Sequence, residues 1–231
     1  MSKLRKTVSR SALASFLVFG TMSVVTLAGD LSKYRDFQLG TDLSTVAKQV
    51  GASPTEAKVI HSRPALIQEL EWSARPLGPT SRTESVKDVV FSFYDGELFR
   101  IAINYDPYET EGMTADDFVK AISATYGTAE KPSAPTKAAQ RGYDDQEAVL
   151  ARWQDPEYCF DLIHASYGPG FRLIGVLKRL EAPAQAAITE ATRLDDQEAP
   201  QRDAARIANE KEIERARLEK ARLVNTPNFR P

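Results

Sequence analysis

The chain has 231 residues, 42% of them apolar and 27% charged, with a formal net charge of −2. That is enough apolar surface for a packed core, which excludes a globally disordered chain. Residues 1–28 hold four bases and no acids, leaving 26 bases against 32 acids beyond them. This acidic surplus excludes nucleic-acid binding driven by phosphate neutralisation.

The first 28 residues read as an export signal. Lys3, Arg5, Lys6 and Arg10 precede an uncharged run, residues 12–28, that ends on Thr26-Leu27-Ala28. Basic, apolar, small is the order that signal peptidase reads, so cleavage is expected after Ala28. The same run reaches the lower edge of a membrane span and could instead stay as an anchor. Either way the basic flank keeps the N-terminus inside and delivers the domain outside the cytoplasm, periplasmic or secreted. Membrane contact is expected only through residues 12–28, if they are retained. No cysteine follows the run, so nothing there can be acylated. The lone cysteine, Cys159, excludes an internal disulfide and a multi-thiolate zinc site. It sits in a strand-like run and is expected to be a buried small hydrophobe.

Residues 29–180 are expected to form one α+β domain. Leu43, Val46, Ala47 and Val50 share a helical face, so a helix is predicted over 41–50, with Gly51 as its C-cap. Strands are predicted over 57–61 and 65–73, and a loop over 75–83. The strongest local signal is a hairpin over 86–105 turning at Asp95-Gly96, the dipeptide of a type I′ turn. Simple register opposes Tyr94 to Glu97, Ser92 to Phe99 and Val90 to Ile101, and puts Phe91, Phe93 and Leu98 on the other face. Both faces are then apolar, so the second must meet another sheet, the tail or a partner.

A second helix is predicted over 114–126, opened by Thr114 with Asp117 as a capping box and closed by Gly127. A linker (129–142) and three strands follow (147–153, 157–166 and 171–180). The two halves look alike. Each opens with a glycine-bounded helix. Each has a strand ending in Trp (Trp72, Trp153), and each closes on Phe-Arg-apolar (Phe99-Arg100-Ile101, Phe171-Arg172-Leu173). A tandem helix-plus-antiparallel-sheet repeat is expected, over about 40–105 and 112–180.

That arrangement resembles the BLIP-like family, named for the β-lactamase inhibitory protein, and the small outer-membrane assembly lipoproteins of the SmpA/OmlA type. The resemblance covers about residues 40–180 and is carried by the repeat pattern, with Gly40-Thr41 and Gly112-Met113-Thr114 opening the helices. The chain lacks the lipoproteins' acylated cysteine and the inhibitor's paired cysteines, so no family site residue carries over. The resemblance implies a protein-binding or envelope-associated module.

Residues 181–231 form a charged tail. Residues 201–224 hold no Gly or Pro and are predicted helical, with Arg206–Glu210, Arg215–Glu219, Glu214–Arg217 and Glu219–Arg222 at pairing distance. Ile207 and Leu218 lie on one side, Ile213 and Val224 on another, so no continuous apolar stripe runs along it.

No catalytic signature emerges. Ser62 beside His61 and Ser166 near His164 make no triad by adjacency, since neighbours in a strand face opposite ways, and no metal-ligand or phosphate-loop pattern occurs, so no cofactor is expected. Aromatics gather at predicted strand ends and turns: Tyr105, Tyr108, Tyr143, Tyr158 and Tyr167. With Phe91, Phe93 and Phe99 of the hairpin, Tyr105, Tyr108, Tyr158 and Tyr167 are the candidate binding residues. The expected function is non-enzymatic binding of another protein or cell-envelope component. The rival is an extracytoplasmic hydrolase with a carboxylate- or His-based site.

Overall fold

The computed structural model describes residues 29–73, 85–131, 149–164, 170–228 and 230. The expected signal, the 75–83 loop, Tyr143, Tyr167 and most of the 129–142 linker lie outside the described residues. In chain order come β1 (Lys33–Tyr34), β2 (Phe37–Gln38), α1 (Leu43–Val50), β3 (Lys58–His61), β4 (Ile67–Ser73), β5 (Val86–Tyr94), β6 (Glu97–Tyr105), α2 (Ala115–Tyr126), β7 (Val149–Gln154), β8 (Tyr158–His164), β9 (Phe171–Leu177) and α3 (Lys178–Asn225). The fold is α+β. Among the described residues, seven antiparallel strands form one sheet in the order β3-β4-β5-β6-β9-β8-β7, and β1 and β2 pair in a small ribbon of their own.

Local chemistry sets the element ends. Asp42 caps α1 by accepting from the Thr45 amide at 3.0 Å, and these hydroxyl and amide donors hold its carboxyl down at about 2. Gly51 closes α1 with φ of 74°, where a side chain would be strained. Thr114 and Asp117 form the expected reciprocal capping box on α2. Asp95 and Gly96 take φ of 48° and 85°, as a type I′ turn requires.

The hairpin departs from simple register after its turn. Tyr94 opposes Glu97 and Phe93 opposes Leu98, but Ser92 opposes Arg100 and Val90 opposes Ala102. Phe99 is the extra residue of a β-bulge, so the expected Ser92–Phe99 and Val90–Ile101 pairs are replaced.

The first sheet face carries the main core. Leu70, Phe91, Phe93, Leu98, Ile101, Phe160 and Leu173 meet Val46 and Ala47 of α1 and Phe118, Ile122 and Tyr126 of α2. Aromatic rings tie the layers together: Phe37 on Phe91 at 4.7 Å, Phe118 on Phe171 at 4.2 Å and Tyr126 on Phe160 at 4.7 Å between centroids. Trp153 is buried with its indole N–H donating to the Gly127 carbonyl at 3.0 Å.

On the second face lies the start of α3. The expected 171–180 strand ends at Leu177, and the chain turns directly into a helix that runs through Pro183 and Pro200 to Asn225. Leu180, Ala184 and Ile188 pack on Ile60, Ile67, Tyr94 and Phe99. Arg63 donates to Glu198 at 2.7 Å and lies 3.8 Å from Asp195, and Arg179 pairs with Glu97. The tail is therefore what meets one end of the second face. From Gln201 to Asn228 every residue is exposed.

Gly175 in β9 stands opposite Phe160, and a β-carbon there would overlap the Phe160 ring. Because Phe160 is fully buried and stacked on Tyr126, the ring has no free space to retreat into. Gly175→Ala is expected to destabilise the fold by about 1–3 kcal/mol, read as a lower urea midpoint at unchanged m-value.

Candidate functional site

The candidate aromatic residues do not converge. Phe91 and Phe93 are fully buried in the main core, and Phe99 is buried beneath α3. All three are core residues, a correction to their expected role: alternation put them on apolar faces, and both faces are covered where they stand. Tyr105 is half-buried, edge-on to Phe118 at 5.0 Å, with its hydroxyl pushed well up by burial. Tyr158 is half-buried at the start of β8. Tyr108, in the loop after β6, is 85% exposed. Tyr167 lies outside the described residues.

What the sheet does assemble, among the described residues, is a part of its second face on which α3 does not pack, with Val149, Ile163, Ile174 and Cys159 buried and Val90, Ala102 and Val176 half-buried. Register puts three rows of side chains there. One runs Glu71, Val90, Ala102, Ile174, Asp161, Arg152 from β4 to β7. The next, nearer α3, runs Glu69, Ser92, Arg100, Val176, Cys159, Gln154. The third, farther from α3, holds Asp88, Asn104, Arg172, Ile163 and Val149. Ala102, Val149, Ile163, Ile174 and Val176 form an apolar cluster of their own, separate from the one beneath α3.

Charged and polar groups frame this cluster and are held in place. Arg172 donates to the Asn104 side-chain Oδ1 at 2.6 Å, and the Asn104 side-chain amide donates in turn to Asp88. Ser92 donates to Glu69 at 3.1 Å. Arg152 grips Asp161 through two bonds of 2.6 and 2.7 Å, the bidentate geometry of a guanidinium on a carboxylate. Cys159 is buried in this layer, and burial with the Asp161 charge pushes its thiol up to about 12. It is a thiol at neutral pH, not a nucleophilic thiolate.

Chemical groups for catalysis are scattered. His61 sits on β3 and His164 on β8, with four strands between them, about 24 Å at the usual strand spacing. His164 is exposed and edge-on to Phe171. Among the described residues no group of three metal-binding side chains occurs, and no helix is long and apolar enough to cross a membrane. An open depression at the far end of α3 is lined by Arg222, Asn225, Thr226 and Asn228, none of them a general base at neutral pH.

No family model, curated protein or solved structure matches this chain.

Sequence reasoning missed the open rows because a bulge set them. It also missed Glu181, where α3 meets the sheet. One oxygen of Glu181 accepts from Gln185 at 3.2 Å, and the other is buried without a partner among the described residues. Burial raises its carboxyl above the ordinary glutamate range, with nearby Arg100 pulling the other way. A raised carboxyl favours the protonated form. Its contribution to stability is full below the ordinary glutamate value and is lost as pH rises through the raised one. Glu181→Gln removes the ionisable group and is expected to raise the melting temperature at pH 7 by a few degrees. At pH 4 the difference from the parent should nearly vanish; a variant less stable at pH 7 would mean that the attraction to Arg100 outweighs burial.

Proposed function

We propose that this chain is an exported, non-enzymatic module that binds another protein or a cell-envelope component through the half-buried part of its second sheet face on which α3 does not pack. The observation that carries the reading is the apolar cluster around Ala102, Ile174 and Val176, flanked by Val90, on which no α3 residue packs among the described residues; Ile174 is buried and Ala102, Val176 and Val90 are half-buried, so the last three offer the contact surface. Apolar surface framed by charges that already hold one another is pre-organised for docking: little side-chain freedom is lost on contact. Export rests on the basic, apolar, small order of residues 1–28.

We also infer that the helix-plus-three-strand units, α1 with β4 to β6 and α2 with β7 to β9, are copies of one unit, as in the BLIP-like and SmpA/OmlA-like proteins. Gly40 and Gly112 each stand two residues before a helix cap with positive φ, and Gly51 and Gly127 each follow a helix with positive φ. Trp72 and Trp153 each sit one residue from the end of the first strand of a meander. Arg100 and Arg172 each face the second side from the third strand. These correspondences support the reading, and it in turn favours protein binding over catalysis.

Two measurements test the proposal. The protein recovered from the periplasmic or secreted fraction should begin at Gly29; retention of residues 12–28 would replace the cleaved-signal reading by the anchored one. In a pull-down from envelope extracts, the parent chain should enrich a partner that Ala102→Arg and Val90→Lys lose at least tenfold while melting normally. Equal recovery by the parent and both variants would remove the open face as the binding surface.

A further inference from the structure

Beyond the sheet, α3 continues for 25 exposed residues, 201–225, about 38 Å at the helical rise. Its exposed large side chains include Ile207 at 44%, Leu218 at 56% and Ile213 at 61%. Such groups on an isolated helix gain by meeting another surface.

Within this arm, Ala204, Ile207, Lys211, Glu214, Leu218 and Ala221 are spaced by alternating steps of three and four residues. That is the spacing of a coiled-coil seam. The seam is apolar at both ends and charged in the middle, which is why it does not read as an apolar stripe. Its chemistry is nearly the same from either end: Ala, large apolar, charge, charge, large apolar, Ala, with the two charges opposite in sign.

A second copy laid antiparallel meets this order in reverse. Ile207 falls against the partner's Leu218, Ala204 against the partner's Ala221 and Lys211 against the partner's Glu214, each contact made twice by the two-fold axis. Glu210 and Arg217 flank the seam on one side and also meet across it. A parallel pair would set Lys211 on Lys211 and Glu214 on Glu214, so charge selects the orientation. The wider charge distribution agrees. Residues 190–214 hold eight acids and four bases, and residues 215–230 hold five bases and one acid. Antiparallel pairing lays each basic tip along the partner's acidic stretch. The internal pairs Arg206–Glu210 and Arg217–Glu214 lie on the surface, where they add little and can be exchanged.

We propose that two copies of this chain associate through antiparallel pairing of their α3 arms along the Ala204–Ala221 seam. With only two large apolar layers and a charged centre, the pair is weak, concentration-dependent and weakened by salt.

Sedimentation equilibrium on the full chain tests this. The parent should show a reversible monomer–dimer equilibrium. Lys211→Glu and Glu214→Lys, both at exposed positions, should each weaken it at least tenfold without changing helix content. Mixing the two variants should restore dimers, because each chain then supplies the charge the other lacks. Orientation is read by cross-linking: an Ala204→Cys chain should form disulfides with an Ala221→Cys chain and not with itself. A parent chain that stays monomeric across the concentration series would overturn the proposal. So would variants that dimerise like the parent, or Ala204→Cys chains that cross-link among themselves.

Discussion

Between Leu98 and Arg100, β6 carries one residue more than the strand it pairs with. Much of the structure depends on that insertion. Without it, strict alternation after Leu98 would turn Arg100 into the main core and Ile101 and Ile103 outward. With it, Leu98, Ile101 and Ile103 all face α1 and α2, and Phe99 and Arg100 both face the other side. Phe99 becomes a foundation for α3, and Arg100 begins the charged frame of the open rows. A bulge costs a ladder hydrogen bond and adds twist. Here it lets one strand serve two layers of different chemistry.

Those two layers are unequal. The first face is sealed by two helices, the β1–β2 ribbon and stacked rings. The second is closed by a single helix that leaves the last residue of β9 without a connecting loop. A helix about 10 Å wide cannot cover seven strands spaced nearly 5 Å apart. That α3 does not reach the Ile163–Ile174 cluster is thus a matter of dimensions. Glu181 lies at the margin, where the covering helix meets the polar frame, and its half-satisfied carboxyl reflects that mixed setting.

Where a feature of the fold is encoded by neighbours in sequence, it could be read there. The Asp95-Gly96 turn, the Gly51 and Gly127 helix ends and the Thr114–Asp117 box each rest on a few adjacent residues and a specific backbone requirement. The bulge could not be read, because it depends on which of two faces each side chain prefers once both are apolar. The start of α3 was hidden for another reason: Phe171-Arg172-Leu173 sets a strand rhythm that runs without a break signal into Lys178. Pro183 also argues locally against a helix. Packing of Leu180 and Ala184 on Phe99 outweighs that local preference. For the candidate residues, alternation identified apolar faces but not what would lie on them. Phe91, Phe93 and Phe99 therefore read as a surface and are an interior.

Pro200 sits where α3 leaves the sheet, yet the helix continues beyond it, with Arg202 donating to the Asp195 carbonyl at 2.8 Å across that turn. The arm in this way continues its docked half as one helix, and it acts as a lever. A sideways load at its tip is multiplied by its length and falls first on the grip of Arg63 on Glu198 and Asp195. Next in line is the packing of Ile188 near Ile60, and only then Leu180 and Ala184 over Phe99. The helix would peel from the β3 edge inward, so mechanical pull and the opening of the buried Phe99 row are coupled through a single continuous element.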